Sequence, residues 1–407
     1  MSEDSDVIIR TEKVYKIFGP QPNGRAFELS QAGMPKDDVH ARTGHVVGLR
    51  DVNFEVRRGE IFVIMGLSGS GKSTAIRTVN KLLDITNGHV YVDDVDVQTL
   101  DGRALQEFRR EKTGMVFQHF ALFPHRSVID NVGYGLKIQG VDKHERQEAA
   151  LKALSLVGLQ AYASYFPSQL SGGMQQRVGL ARALAADPPI LLMDEAFSAL
   201  DPLIRRQMQD EMMDIMHQLR KTILFITHDL NEALRIGDRV CIMKDGGVVQ
   251  IGTPEEILTQ PATNYVAEFV QDVDQGRVIQ VQEIMLQPAP IARSASMDEA
   301  LRHLGDRPGA FVLDADGKPE AVCTEADCLR AAAVGSTEMM AGARTDFDTT
   351  TAEATLNSVY AAAGRGLPIA VCDDDGRLVG TLMPRLVMEE LGRVEGLIDQ
   401  FEREVFM

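Results

Sequence analysis

Gly66-Leu67-Ser68-Gly69-Ser70-Gly71-Lys72-Ser73-Thr74 is the stretch whose reading settles the fold. Its glycines let successive backbone N–H groups turn inward around an anion. Lys72 adds a mobile positive charge, and Ser73 offers a hydroxyl to Mg2+. An apolar run, Ile61–Met65, comes before it, and a helical pattern from Ser73 to Leu83 comes after. A phosphate-binding loop needs this strand–loop–helix setting, because the helix N-terminus also favours phosphate. A second stretch, Leu170-Ser171-Gly172-Gly173-Met174-Gln175-Gln176-Arg177, is a Gly-Gly turn that starts another helix. It is weak alone; with the first it points to an ATPase.

Working outward, apolar runs recur at Thr113–Phe117, Ile190–Met193, Thr222–Thr227 and Val240–Met243. They contain consecutive apolar residues, as expected of parallel strands covered by helices on both faces. Ile190–Met193 runs into Asp194 and Glu195, so both acids are expected at the C-terminal edge of the sheet, beside the phosphate loop. Asp194 suits Mg2+, and Glu195 suits polarising a water for attack on the γ-phosphate. Thr222–Thr227 ends in His228, which can contact that phosphate. Gln118 follows Met115–Phe117 with an amide able to reach Mg2+ or the water. Asp201, in Ser198-Ala199-Leu200-Asp201, is placed to position a facing subunit. Ahead of this region, Val7–Phe18 and Leu49–Val56 read as strands. Between them lies a polar stretch, Gln21–Gly44, with a short helical pattern at Phe27–Ala32.

The chain has 407 residues, room for two or three domains, and its 44% hydrophobic content supports packed cores. No run of about 18 apolar residues occurs, so no membrane span is expected. The acidic start, Met1–Asp6, lacks the basic and apolar regions of a signal peptide. A net charge of −17 disfavours nucleic acid as a main partner. Cys241, Cys323, Cys328 and Cys372 have no metal-ligand spacing and read as buried free thiols in a reducing compartment.

After Asp272 the texture changes. Phe311-Val312-Leu313-Asp314-Ala315-Asp316-Gly317-Lys318 is echoed by Ala370-Val371-Cys372-Asp373-Asp374-Asp375-Gly376-Arg377. Each reads as a strand, an Asp-Gly turn, a second strand and a helix, with upstream helical patterns at Met297–Leu304 and Ala354–Ala362. An internal duplication of about 60 residues accounts for the pattern. From Gly276 to Met407 there are 12 Lys/Arg against 22 Asp/Glu, so no basic face for anionic lipid stands out.

Together Gly66–Thr74, Gln118, Leu170–Arg177, Asp194–Glu195, Ser198–Asp201 and His228 resemble, in order and setting, the ATPase subunits of ABC transporters. The resemblance covers roughly residues 7–270. It implies an α/β P-loop NTPase domain with a helical subdomain over 1–272, and two subunits that sandwich two ATP molecules with Mg2+. Gly66, Leu67, Ser68, Gly69, Ser70, Gly71, Lys72, Ser73 and Thr74 would hold ATP. Ser73, Gln118 and Asp194 would hold the metal, and Glu195, His228 and Gln118 would serve catalysis. Ser171 and Gly173 would bind the γ-phosphate of the nucleotide held by the partner. An aromatic ring is also expected on the base; Phe18 is the best match, with Tyr15 as the alternative. Tyr15–Gly19, Ile61–Gly71 and Met193–Arg205 look closest to the ATPase of glycine betaine/proline importers, as do the polar insertion and the duplicated tail. That implies membrane permease subunits, contacted beside Gln118 through Phe120–His125, and indirectly a periplasmic or lipid-anchored binding protein. It also implies a place at the cytoplasmic face of the inner membrane. An importer of other amino acids, choline or carnitine is the alternative, and a soluble ABC ATPase is a more distant one. The tail, 276–407, resembles an α+β tandem CBS module with repeats at about 278–336 and 337–400. Thr324 and Asp327 match its nucleotide signature in the first repeat; the second repeat keeps only the glycine, Gly380.

Overall fold

Strands made of consecutive apolar residues are stable only where both faces are covered, and the first unit of the chain is built on that rule. The computed structural model describes residues 6–118, 120–197, 202–271, 276, 279–305 and 309–390. It divides into two compact units, Met1–Val270 and Gln271–Met407. The strands of the first are β1 (Val7–Phe18), β2 (Val46–Arg57), β3 (Ile61–Met65), β4 (Asn87–Val92), β5 (Val95–Asp96), β6 (Thr113–Val116), β7 (Ile190–Asp194), β8 (Thr222–Thr227), β9 (Arg239–Lys244) and β10 (Gly247–Gly252). Every residue of β3, β7 and β8 is buried.

Six strands form one sheet in the order β10-β9-β3-β8-β7-β6. Its neighbours pair in parallel except β10, which returns antiparallel along β9. A second, antiparallel sheet has the order β2-β1-β4-β5. The two share one core, where Phe54 of β2 stacks on Phe62 of β3 with ring centroids 5.4 Å apart. Helix Lys72–Val79 buries Ala75, Ile76 and Val79 in it.

The structure corrects several expected boundaries. The helix after the phosphate loop ends at Val79 rather than Leu83, because Lys81 turns left-handed at φ 51° and its ammonium donates to the Leu100 carbonyl at 2.5 Å. β6 stops at Val116, leaving Phe117 exposed. β2 begins three residues early, at Val46. The polar stretch holds two helices, Arg25–Gln31 and Lys36–Thr43, where one was expected. They cover a small core of Ile17, Ala26, Val39 and Val47.

In the second unit the duplication is explicit. Helix Met297–Leu304, β11 (Ala310–Leu313) and β12 (Pro319–Cys323) recur 59 positions later as helix Leu356–Ala363, β14 (Ile369–Cys372) and β15 (Leu378–Leu382). β13 (Thr349–Thr350) pairs in parallel with β14. The two turns repeat bond for bond. Asp314 Oδ1 accepts from the N–H groups of Asp316 and Lys318, as Asp373 Oδ1 does from Asp375 and Arg377. Gly317 and Gly376, at φ 82° and 80°, supply the left-handed residue each turn needs. The repeats meet through Phe311, Val322 and Ala370. Cys323 and Cys328 are buried with their sulfurs 2.8 Å apart, and the second repeat has buried Leu382 and Val387 in the same places. The thiols therefore serve as core residues. Cys241 is also buried, while Cys372 is only partly so, which corrects the expectation that all four are buried.

Candidate active site

The parallel register decides which loops meet. Met65 of β3 lies opposite Thr227 of β8, and Asp194 of β7 lies opposite Ile226 of β8. The segments after β3, β7 and β8 thus leave the same edge of the sheet. Val116, ending β6, lies opposite Met193, which brings Gln118 to that edge as well.

The loop after β3 demands glycine at two places. Gly66 has φ 145° and Gly71 φ 104°. A Cβ on Gly66 would overlap the carbonyl oxygen of Met243, and one on Gly71 would sit 2.6 Å from that of Gly48. Leu67, Ser68 and Gly69 are exposed, and Thr74 lies half-buried in the first turn of the helix. Lys72 is buried, and its Nζ donates to the carbonyls of Gly66 and Leu67 at 2.8 and 3.0 Å. Burial lowers its pKa, against the pull of Glu195 and Asp194. The buried Ser70 hydroxyl oxygen has no hydrogen-bond partner among the described residues. A glycine-bounded loop with a buried ammonium and an orphaned hydroxyl fits a phosphate chain.

The acids separate into two roles. Asp194 is buried; its Oδ1 accepts from Ser73 Oγ at 2.9 Å and its Oδ2 from Arg77 at 3.0 Å. A hydroxyl and a carboxylate side by side are the hard oxygen donors Mg2+ prefers. Glu195 turns away from the strand at φ 48°, a left-handed conformation that costs an ordinary residue about 1 kcal/mol or more. Its N–H donates to the Ile226 carbonyl at 3.1 Å, which fixes the turn to β8. Gln118 Nε2 donates to Glu195 Oε2 at 3.1 Å, and His228 Nδ1 lies 3.4 Å from the same oxygen. One carboxylate oxygen thus gathers an amide and an imidazole at the mouth of the phosphate loop.

Tyr15 and Phe18 part company. Tyr15 is buried edge-on to Phe27, with centroids 5.1 Å apart. Phe18 is 38% exposed, with Lys16 Nζ 5.0 Å from its ring centre. Its ring lies so close over Gly48 that a Cβ there would be 2.6 Å away. Since the Gly48 carbonyl abuts Gly71, an accessible ring stands beside the phosphate loop. Nothing in the sequence singles out Gly48, or Arg77 as the second partner of Asp194.

Ser171 caps helix Gly172–Leu184, accepting from the Met174 N–H at 3.3 Å. Ser171 is exposed and Gly173 half-exposed at this thirteen-residue helix's N-terminus. Ser198 and Asp201 lie outside the described residues. Thr324 and Asp327, the residues that match the nucleotide signature of the tail, both have partners within the chain. Thr324 caps helix Glu325–Ala333, and its hydroxyl donates to Asp327 at 2.7 Å. Arg344 grips both oxygens of Asp327 at 2.7 and 2.9 Å, and Arg330 adds a third cationic bond at 2.7 Å.

The family model for the ABC transporter matches residues 49–198. The glycine betaine transport ATP-binding protein OpuAA of Bacillus subtilis is 47% identical over 385 residues, which cover 94% of this chain and 91% of that protein. The chain belongs to the ABC-transporter ATP-binding proteins. Another relative of this ABC ATPase is the glycine betaine/proline betaine transport system ATP-binding protein ProV of Salmonella typhimurium. It is 43% identical over 95% of this chain and 98% of its own length. Among solved structures, a dimeric post-hydrolysis state of the ATP-binding cassette MJ0796 bound to ADP and Pi superposes with a TM-score of 0.51. It is 33% identical and covers 61% of this chain and 99% of that one.

Proposed function

We propose that this ABC ATPase energises an importer of glycine betaine and related compatible solutes, working as a homodimer on permease subunits. The observation that carries the solute class is likeness over nearly the whole chain, tail included, to betaine-transport ATP-binding proteins. ATP lies on the loop Gly66–Thr74 with its base against Phe18. Ser73, Asp194 and Gln118 hold Mg2+, which neutralises charge on the phosphates. Lys72 exchanges its carbonyl contacts for phosphate oxygens. Glu195 orients and deprotonates the attacking water, while His228 and Gln118 fix that carboxylate and sense the γ-phosphate. Ser171 and Gly173 close the site from the partner, since an exposed helix N-terminus is a second anion site. Asp201 contributes to the same joint.

Closure of the dimer works the permease through the surface beside Gln118, from Phe120 to His125. No helix among the described residues is long and apolar enough to cross a membrane, in keeping with a peripheral place on the inner membrane's cytoplasmic face. The permease in turn receives solute from a binding protein. The duplicated tail is a tandem CBS module that regulates this cycle; a ribose reaching Asp327 there must displace Arg344. The test is ATP-driven uptake in vesicles containing the chain and its permease. Glycine betaine should outcompete choline, carnitine and proline. Uptake of an unrelated solute, indifferent to glycine betaine, would overturn the solute assignment.

A further inference from the structure

Under His228 lies a carboxyl group that this chemistry does not use. Glu232 sits in the short helix Leu230–Ile236 and is 8% exposed. Its two oxygens are claimed from two directions. Thr227 contacts Oε2 through its hydroxyl, and Gln209 Nε2 donates to Oε1 at 2.6 Å. Thr227 ends β8 and precedes His228 in the chain. Its hydroxyl oxygen also accepts from the N–H of Asp229 at 3.0 Å, so it spans the backbone on both sides of the histidine. Gln209 belongs to helix Pro202–Leu219, and its own oxygen accepts from Arg235 at 3.3 Å.

Donor counting shows why a carboxylate stands here. Gln209 turns its N–H2 inward because Arg235 already occupies its oxygen. Asp229 N–H supplies Thr227 with a donor, which leaves the hydroxyl proton to be given away. The two donors meet two different oxygens, and a carboxylate is the side chain that presents two acceptor atoms with no donor between them. We infer that Glu232 is a positioning residue for ATP hydrolysis. It clamps Thr227 so that His228 stays against Glu195, and through Gln209 it ties that strand end to the helix following the Ser198–Asp201 segment. The inference rests on the roles proposed for His228 and Glu195.

The test uses the full chain assembled with its permease. Glu232→Gln sets an amide N–H2 against Gln209, donor facing donor. Turnover should fall about tenfold, as one lost or frustrated buried hydrogen bond implies. The KM for ATP should change less than about twofold, because no phosphate-loop contact is touched. The exchange Glu232→Gln with Gln209→Glu restores every bond: the new amide gives to the carboxylate now facing it and accepts from Thr227, and Arg235 gains a charged partner. It should return turnover to within about threefold of wild type. Thr227→Val should lower turnover, and adding Glu232→Gln should cost little more. A role confined to stability would lower the melting temperature of Glu232→Gln while leaving turnover per folded molecule unchanged, and would overturn the inference. Failure of the exchange to rescue turnover would overturn it equally. His228→Ala is the control. Its loss of turnover alongside wild-type turnover in the Glu232 variants sinks this inference alone; wild-type turnover in His228→Ala sinks the site reading and this inference with it.

Discussion

The sheet edge around Glu195 and the cluster around Asp327 use the same residue types to opposite ends. At the sheet edge a carboxylate is held by an amide and an imidazole, with the histidine side chain 55% exposed. In the tail a carboxylate at 5% exposure is closed over by two arginines and a threonine. The first arrangement gathers a carboxylate, an amide and a half-exposed imidazole at the sheet edge where the phosphate loop leaves; the second holds a strand, a helix and a following loop together. Polar residues at a strand end are thus not by themselves a site. What separates the two is how closely cationic partners close over the carboxylate.

The largest effects should separate the two regions outright. Ser171→Arg should abolish hydrolysis while nucleotide binding to the single subunit stays near normal, because a bulky cation blocks the helix end that meets the partner's phosphate. Heterodimers pairing a Lys72→Ala chain with a Ser171→Arg chain keep one intact composite site, and should recover activity that neither homodimer has. No recovery would break the trans arrangement. Glu195→Gln should cut turnover by about 10²–10⁴-fold, the range of a lost general base, and trap a closed dimer with ATP bound. Wild-type turnover would remove Glu195 from its role.

A middle-sized effect sharpens the tail's side of the comparison. Arg344→Ala should lower the melting temperature of the second unit, leaving a buried acceptor short of partners, without changing the basal ATPase rate. Burial alone would raise the pKa of Asp327, but Arg344, Thr324 and Arg330 outweigh it and hold it below the usual carboxylate value. A depressed carboxylate stabilises above its unfolded pKa of about 4 and loses that contribution as pH falls through the folded value. The second unit should therefore melt earlier below about pH 4, and Asp327→Asn should flatten that acid limb. The smallest effects come from matched helix caps, Thr253 in the first unit and Ser296 in the second, each in a capping box. Replacement by Ala should cost about 1 kcal/mol in its own unit only, seen as a shift of one calorimetric transition. A shift of both would show that the units unfold together.

Much of this was legible in the sequence because it depends on local pattern. Glycines before Lys72, apolar strands ending in Asp194–Glu195 and Thr227–His228, and Asp-Gly turns 59 residues apart all declare themselves in short windows. What stayed hidden depends on pairing across the chain. That Gly48 must lack a side chain follows only when β1 lays Phe18 over it. The left-handed turn at Glu195 has no glycine to announce it, being fixed by the Ile226 carbonyl. Helix Lys36–Thr43 carries little apolar periodicity, with Val39 as its buried anchor. Thr324 and Asp327 matched a motif, but the motif could not reveal Arg344, seventeen residues on, filling the carboxylate.

The distribution of sulfur makes the molecule its own clock. Cys241 lies in the ATPase sheet, Cys323 and Cys328 in the first repeat, and Cys372 at a partly exposed place in the second. Burial pushes the Cys241 thiol up to about 12, so in the closed state it is neither reachable nor reactive. An alkylating reagent can modify such a thiol only during the moments when its surroundings open. Peptide-resolved labelling over time would therefore record, in one unmodified chain, how often the catalytic sheet and each half of the tail breathe, and whether adding nucleotide slows one of those rhythms without touching the others.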